Sequence, residues 1–162
     1  VDRVKRSSFQ QIRVVVGAYR QQIIPLLSGV EVIVNEDFRK GQSSSIKAGL
    51  TSLSSNVEGV AFILADQPLI KINTYNYLIK KFKEKEPDIL IPTYRNKRGN
   101  PVIFSKKYFS QLKCVAGDKG GRRIIEENLS KVLWCETDDP GIVKDLDYKK
   151  EYLIYQLNFY LK

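Results

Sequence analysis

The sequence predicts a single α/β domain of three layers, in which helices cover both faces of a mainly parallel sheet. Two observations support this prediction. Short apolar runs recur along the chain with helical patterns between them, an order that is typical of strand-helix-strand units. The chain of 162 residues is 43% hydrophobic, and it has no apolar run near the roughly 20 residues of a membrane span. We therefore expect one core and no membrane segment.

The apolar runs give the predicted strands. They cover residues 12–16, 30–34 and 60–64 in the first half of the chain, and residues 89–91, 102–104 and 132–135 in the second. The run at 60–64 has no polar position, as expected of a parallel strand that is covered on both faces. Turn-forming residues punctuate the chain at 96–100, so we expect region 95–104 to add an antiparallel excursion.

Helical patterns fill the intervals between the predicted strands. A short helix at 20–27 is weakened by Pro25. The next one, at 43–53, starts with three serines that can cap it, and a third can be capped by Asn73. Further helices are predicted at 106–112, 122–129 and 148–161.

Composition limits the classes of function. Lysine and arginine number 27 against 18 acidic residues, and the net charge of +9 favours anionic partners such as phosphates. The basic residues are dispersed, which disfavours a nucleic-acid surface. The chain has no histidine, so a histidine-containing triad or metal site is excluded. Two cysteines fit a reducing cytoplasm better than a disulfide framework.

Three aspartates are the candidate metal ligands. Asp66 directly follows the predicted strand at 60–64, at the end where open α/β sheets bind ligands, and Pro68 stiffens the turn that carries it. Asp145 and Asp147 supply further hard oxygen ligands of the kind that Mg²⁺ prefers. Alternatively, Asp66 only forms a turn and Asp147 caps the last helix. The three residues indicate a metal only in combination.

Three loops could bind phosphate or nucleotide. Residues 117–121 are rich in glycine and precede Arg122, which suits an anion, although a plain flexible loop has the same composition. Residues 41–45 combine glycine with three hydroxyl groups that could face a nucleotide or cap a helix. Residues 98–101 could reach over an open sheet edge or form an ordinary hairpin turn. None of these loops is a Walker or dinucleotide-binding motif.

Five segments, in order, resemble one family. They are NEDFRKGQSSSIKAGL at 35–50, LADQPLI at 64–70, RGNPVIF at 98–104, GDKGGR at 117–122 and DLD at 145–147. Together they resemble the molybdenum cofactor nucleotidyltransferase-like family, most closely the molybdopterin cytidylyltransferases. The resemblance implies a Rossmann-like, nucleotide-diphospho-sugar transferase fold with a mostly parallel mixed sheet.

The resemblance also implies an activity. With Mg²⁺, the protein would move CMP or GMP from CTP or GTP to the phosphate of the molybdopterin cofactor and release pyrophosphate. A molybdoenzyme or its chaperone would be a further partner. Two rival functions are an NAD(P)H-type oxidoreductase of the same family and a non-catalytic module that binds or delivers the cofactor.

The site residues follow from the same motifs. Asp66 would be the main metal ligand and a catalytic residue, with Asp147, or Asp145, as the second. Nucleotide contacts are implied for Asn35, Gly41, Ser45, Gly49, Ala65, Gln67 and Pro68. Acceptor contacts are implied for Arg98, Gly99, Asn100, Pro101, Gly117, Asp118 and Arg122.

The sequence departs from the family pattern at two places. Gly121 replaces the usual alanine of the G-D-x-G-A-R loop, which is a small change. The first strand of the family and its glycine-rich triphosphate loop, of the LAAGxSxRMGxxK kind, do not occur in the sequence. Because the chain also lacks methionine and opens on Val1, we expect this segment to precede residue 1.

Overall fold

Thirteen helices and strands form the fold in the part of the chain that the computed structural model describes, namely residues 1–117, 120–148 and 153. The helices are α1 (Asp2–Lys5), α2 (Arg20–Ile23), α3 (Gln42–Thr51), α4 (Ile72–Lys85), α5 (Phe109–Cys114) and α6 (Arg122–Glu127). The strands are β1 (Arg13–Val16), β2 (Glu31–Val34), β3 (Gly59–Phe62), β4 (Ile89–Tyr94), β5 (Lys97–Arg98), β6 (Val102–Ser105) and β7 (Val132–Glu136).

The strands form two sheets of unequal size. β1 and β2 are parallel and make the small sheet. In the large sheet, β6 lies between β3 and β4 and is antiparallel to both, whereas β7 is parallel to β4. β5 is also antiparallel to β4. Hence β3, β4 and β7 share one direction, and the excursion at 95–104 runs against them. The predicted mixed α/β sheet with an antiparallel excursion is confirmed.

Helices cover both faces of the large sheet. On one face, Leu78 of α4 packs with Leu90 and Ile103. On the other face, side chains of α3, α5 and α6 pack with Ile89 and Phe104 of the sheet. Neighbouring strand residues point to opposite faces, so Ile89 and Leu90 serve different layers. This arrangement confirms the predicted three layers.

Helix α3 connects the two sheets. Its Ile46 and Leu50 are buried in the core of the large sheet, while Gly49 lies against β1. Among the described residues, β1 pairs only with β2 and β3 only with β6. Each of these two strands therefore has one edge without a strand partner.

The predicted helix starts are wrong at two places. No side-chain hydrogen bond caps α3, whose N-cap is Gly41; Ser44 Oγ instead donates to the Gly41 carbonyl. Helix α4 begins at Ile72, one residue before Asn73, which was the predicted cap. A distant aspartate takes that role, as described below. Apart from Tyr148 and Leu153, the predicted helix at 148–161 lies outside the described residues.

Pro25 does interrupt the helix after β1. Helix α2 ends at Ile23 and a short 3₁₀ turn, Ile24–Leu26, follows it. Within the described residues, no helix has the length and apolar character that crossing a bilayer requires.

Candidate functional site

Asp66 lies in a turn just beyond β3. The turn is closed by the Gln67 backbone N–H, which donates to the Leu64 carbonyl at 3.4 Å. Asp66 is exposed, and its carboxylate makes no hydrogen bond or ion pair with the residues that the structure describes. The carboxylate can therefore accept a ligand from solution.

Residues 139–147, here called the return segment, bring the other two aspartates to this turn. The Leu146 N–H donates to the Asp66 carbonyl at 2.8 Å. Next to it, Gln67 Nε2 donates to Asp145 Oδ1 at 2.6 Å. The backbone of the segment that carries Asp145 and Asp147 is thus tied to the Asp66 turn. The three aspartates are predicted metal ligands, whereas the hydrogen bonds between the turn and the return segment were not predicted.

The carboxylates suit a metal that arrives with a nucleotide. Among residues 1–117, 120–148 and 153, no group of three or more acidic or cysteine side chains could hold an ion by itself. Mg²⁺ commonly takes one or two protein carboxylates and completes its octahedron with substrate phosphates and water. A site of this kind would need only Asp66 and one further carboxylate.

Asp139 fixes the return segment against helix α4, and sequence reasoning missed it. Its side chain is buried and accepts hydrogen bonds from Lys71 N at 2.8 Å and Thr74 Oγ1 at 2.6 Å. The Asp139 carboxylate thereby caps the start of the helix. Its other oxygen accepts the Gly141 N–H at 2.9 Å. Burial raises the pKa of neighbouring Tyr75 to about 12, and the Asp139 charge adds to the shift. The Tyr75 phenol therefore stays neutral and cannot act as a base near neutral pH.

Two further contacts hold the loop that follows Asp66. Arg3 Nη1 donates to the carbonyls of Leu69 and Ile70 at 3.0 and 3.1 Å. A Cβ on Gly141 would lie 2.6 Å from the Leu69 carbonyl carbon, so only glycine allows the return segment to approach so closely. The Asp-Pro-Gly sequence signals a turn, but no local pattern identifies its distant partner.

The predicted nucleotide residues meet at the start of α3. Buried Asn35 donates from Nδ2 to Ser44 Oγ at 2.8 Å and to Ser45 Oγ at 3.0 Å. Gly41 immediately precedes the helix and has a φ of 90°. An open cavity of about 430 Å³ lies beside this cluster, and its lining includes Asn35, Ser44 and Lys47. The structure thus brings Asn35, Gly41 and Ser45 together.

The other predicted nucleotide residues are placed differently. A Cβ on Gly49 would lie 3.2 Å from Val15 Cγ2, so this glycine serves helix-strand packing. Gln67 is buried and its amide faces Asp145. Ala65 and Pro68 flank the Asp66 turn, where Ala65 is exposed.

The predicted acceptor loop at 98–101 is held by the same return segment. The Asn100 N–H donates to the Ile142 carbonyl, and the Gly99 N–H donates to the Pro92 carbonyl, each at 2.9 Å. A Cβ on Gly99 would lie 2.6 Å from the Ile142 carbonyl oxygen. The return segment therefore contacts both the Asp66 turn and the acceptor loop.

Two arginines lie on the predicted acceptor side. Arg98 is on β5 and Arg122 begins α6. Partial burial, and then the charge of Arg122, lower the pKa of Arg98. Arg122 Nε also donates to Glu126 Oε1 at 2.9 Å, and both of those side chains are exposed. Guanidinium groups bind phosphate and carboxylate groups well, which suits an anionic ligand on this side.

The glycine loop before α6 packs on the start of α3. A Cβ on Gly120, whose φ is 51°, would lie 2.6 Å from Gln42 Oε1. The glycine loop and the start of α3 are therefore neighbours. Of the other predicted acceptor residues, Gly117 is exposed, Pro101 is buried, and Asp118 lies outside the described residues.

Gly121 stands where the family has alanine, and we expect alanine to be less stable at this position. A Cβ here would lie 2.9 Å from Phe104 Cζ, so Gly121→Ala should lower the free energy of unfolding by about 1 kcal/mol through overpacking. Urea unfolding measures this loss. In a Phe104→Leu background the loss should shrink, because the ring is gone. An equal loss in both backgrounds would contradict the steric explanation.

Comparison with known proteins agrees with the fold and the motifs described above. The sequence profile described as the MobA-like NTP transferase domain matches residues 1–132. The chain belongs to this family. It therefore carries a domain of the nucleotidyltransferase type, and the resemblance that its motifs indicated is confirmed at the level of the family.

Individual relatives of the MobA-like domain are more distant. The purine catabolism protein PucB of Bacillus subtilis (strain 168) is 29% identical over 121 residues, which are 74% of this chain and 58% of PucB. The alignment thus spans less than two thirds of PucB.

Solved structures share the fold. The Rv0371c homologue from Mycobacterium sp. strain JC1 is 26% identical, with a TM-score of 0.83 over 99% of this chain and 81% of the homologue. Rv0371c from Mycobacterium tuberculosis H37Rv in complex with manganese is 24% identical, with a TM-score of 0.78 over 94% of this chain and 81% of that one. These similarities confirm the nucleotide-diphospho-sugar transferase type of fold.

Proposed function

We propose that this chain is a metal-dependent nucleotidyltransferase that moves CMP or GMP from CTP or GTP to the phosphate of the molybdopterin cofactor and releases pyrophosphate. The main support is the exposed Asp66 carboxylate beyond β3, in a turn to which the return segment with Asp145 and Asp147 is hydrogen-bonded. The same segment holds the loop that carries Arg98. The return segment thus supports both the turn with the carboxylate proposed to bind the metal and the loop proposed to bind an anion.

Asp66, with Asp145 or Asp147, would hold the metal. A divalent ion at these oxygens supplies charge neutralisation of the nucleotide phosphates. We propose Mg²⁺ as the physiological ion. The manganese complex of the M. tuberculosis neighbour suggests Mn²⁺ as a spectroscopic substitute.

The protein residues bind and align the two substrates. The cluster of Asn35, Gly41 and Ser45 would hold the base and ribose, while Arg98 and Arg122 would bind the acceptor phosphate. An acceptor phosphate oxygen then forms a bond to the α-phosphorus as the bond to pyrophosphate breaks in line. A phosphate nucleophile carries no proton that must be removed, so alignment provides most of the catalysis. This agrees with a chain that has no histidine.

Binding the triphosphate requires further hydrogen-bond donors. In the family that the chain resembles, a glycine-rich loop after the first strand carries them. β1 and β3 each have an edge without a strand partner in the described residues. We propose that the first strand of the family pairs with these edges of β1 and β3 and carries the glycine-rich loop. Residues 1–162 and this strand would then form one domain. Unpaired strand edges inside a domain leave backbone groups unsatisfied, which supports the proposal.

The proposal also covers location and partners. A cytoplasmic enzyme fits the two free cysteines. A molybdoenzyme or its chaperone would receive the product.

A pyrophosphate-release assay on the full-length protein tests the activity. Each of the four NTPs is supplied with Mg²⁺, with and without molybdopterin. The proposal predicts release that needs the metal, the acceptor and CTP or GTP. Binding of molybdopterin without release would favour the delivery module, and a spectral change with NADPH would favour the oxidoreductase.

Arg98→Gln should weaken acceptor binding selectively. Removing one guanidinium from the phosphate site should raise the KM for molybdopterin about 10-fold and leave the KM for the NTP unchanged. Steady-state kinetics measure both constants. Lys97→Gln, which removes the neighbouring exposed cation, is the control and should change neither. An equal rise in the NTP constant would argue against the acceptor role of Arg98.

A further inference from the structure

Strand β7 lies at an edge of the large sheet. It pairs with β4 on one side, and no other strand of the described residues pairs with it on the other. Just after β7, the Thr137 N–H donates to the Thr93 carbonyl of β4 at 2.8 Å. Backbone groups of successive strand residues point to alternate sides, so the odd-numbered residues of β7 face β4 as Thr137 does. The even-numbered residues direct their N–H and C=O groups to the free edge; they are Val132, Trp134 and Glu136.

The free edge of β7 is apolar over most of its length. Edges of natural sheets usually carry charges, prolines or bulges that prevent pairing with another chain. The first four residues of β7 are instead uncharged and apolar, namely Val132, Leu133, Trp134 and Cys135. Trp134 is 47% exposed, although a tryptophan ring buries a large apolar area when it has a partner. The edge therefore offers both backbone groups and an apolar side chain to a second strand.

A second aromatic side chain borders the opposite face of this edge. Tyr77 of α4 is 37% exposed, and burial, then the neighbouring Cys135, raise its pKa, which places the phenol beside β7. Lys81 Nζ lies 5.7 Å from the centroid of the Tyr77 ring. Cys135 packs on the α4 face of the sheet, and its neighbour Trp134 points to the other face. One aromatic residue thus lies on each face of the free edge.

The edge is complementary to itself in antiparallel order. Exposed Lys131 precedes the strand, whereas exposed Glu136 ends it and exposed Asp138 follows. When two copies of β7 pair antiparallel, the basic start of one strand meets the acidic end of the other. With Trp134 opposite Trp134 of the second copy, Val132 lies opposite Glu136. Every outward N–H and C=O group of the strand then has a partner.

We propose that two copies of this chain associate through β7, whose free edges form an antiparallel pair about a two-fold axis and join the two large sheets. The interface is isologous, so one self-complementary edge is sufficient. The net charge of +9 opposes association, but salt screens it beyond roughly 8 Å at physiological ionic strength. One strand pair buries less area than a standard interface, so we expect a dissociation constant on the order of 10 μM.

Sedimentation velocity of the full-length protein measures the association. Monomer should dominate at about 1 μM and dimer at about 100 μM. Trp134 is the one tryptophan of the sequence, and its fluorescence should shift to shorter wavelength over the same range as the second copy covers it. A protein that stays monomeric at both concentrations, or a dimer whose tryptophan emission does not shift, would overturn the proposal.

Amide hydrogen exchange locates the contact within the dimer. The N–H groups of Val132, Trp134 and Glu136 should gain protection as the dimer forms. Those of Leu133 and Cys135 already face β4 and should not change. If the first three are protected at every concentration, another part of the protein covers the edge. If protection appears only elsewhere, the copies meet at a different surface. Either result would overturn the proposal.

Trp134→Lys should raise the dissociation constant of the dimer at least about 10-fold, because two cations would then face each other across the axis. Tyr19→Lys is the matched control. It replaces another exposed aromatic residue, which lies between β1 and α2 beside the small sheet, and should leave the constant unchanged. No effect of Trp134→Lys, or an equal effect of Tyr19→Lys, would contradict pairing through β7.

Lys131→Glu tests the charges at the ends of the strand. It places acidic residues at both ends, so it should raise the dissociation constant about threefold, as expected for an exposed ion pair. Lys113→Glu makes the same charge change at an exposed lysine of α5 and should have no effect. Equal effects of the two variants would show that only net charge matters. Should Trp134→Lys fail to fold, these variants and the exchange pattern still decide.

Discussion

Replacing Asp66 by alanine should reduce kcat/KM for nucleotidyl transfer about 10³-fold, since the metal contributes several kcal/mol to the transition state. The free energy of unfolding should change by less than about 0.5 kcal/mol, because the side chain is exposed and its carboxylate has no partner among the described residues. Pyrophosphate release and urea unfolding measure the two quantities. Activity and stability should thus separate at this residue.

Asp138→Ala is the matched control for Asp66→Ala. Asp138 is also an exposed aspartate, and its removal changes the net charge by the same amount. The control should retain the activity of the unmodified protein. Full activity in Asp66→Ala, or an equal loss in Asp138→Ala, would contradict a specific role for the Asp66 carboxylate.

Replacing Asp139 by alanine should lower the free energy of unfolding by about 3 kcal/mol. The variant leaves Lys71 N, Thr74 Oγ1 and Gly141 N without their buried acceptor, and hydrogen bonds to a charged group contribute about 1.5–3 kcal/mol each without being additive. Urea unfolding at neutral pH measures the loss. The same variant releases the start of α4 from the return segment.

Asp138→Ala serves again as the control, because it removes a neighbouring carboxylate that is exposed. It should change stability by less than about 0.5 kcal/mol. Equal stability of the Asp138 and Asp139 variants would show that the buried carboxylate does not hold the helix and the segment together.

The layers and strands of the fold could be predicted because they depend on local patterns. Apolar runs and turn formers are visible in the sequence, and the strands at 60–64 and 132–135 occur within two residues of their predicted bounds. Helix starts were less predictable. The cap of α4 comes from Asp139, 68 residues beyond Lys71, and a contact at that separation leaves no local signal.

The candidate site, like the fold, was predictable where it depends on local patterns and not where it depends on long-range contacts. Asp66 stands at a strand end, which sequence reasoning can recognise, and Asn35 and Ser45 share a hydrogen bond in a region that the motifs had marked. The supports of the site are long-range contacts. Arg3 reaches the carbonyls of Leu69 and Ile70 across the fold, and Gln67 turns inward although its motif suggested a ligand contact.

The most direct test of the central claim is the mass of the product that the full-length protein forms from molybdopterin, CTP or GTP, and Mg²⁺. Nucleotidyl transfer predicts molybdopterin that carries one added CMP or GMP, together with an equal amount of pyrophosphate. Asp66→Ala should abolish this product. Unmodified molybdopterin after incubation with every NTP, or the same product yield from Asp66→Ala, would contradict the account.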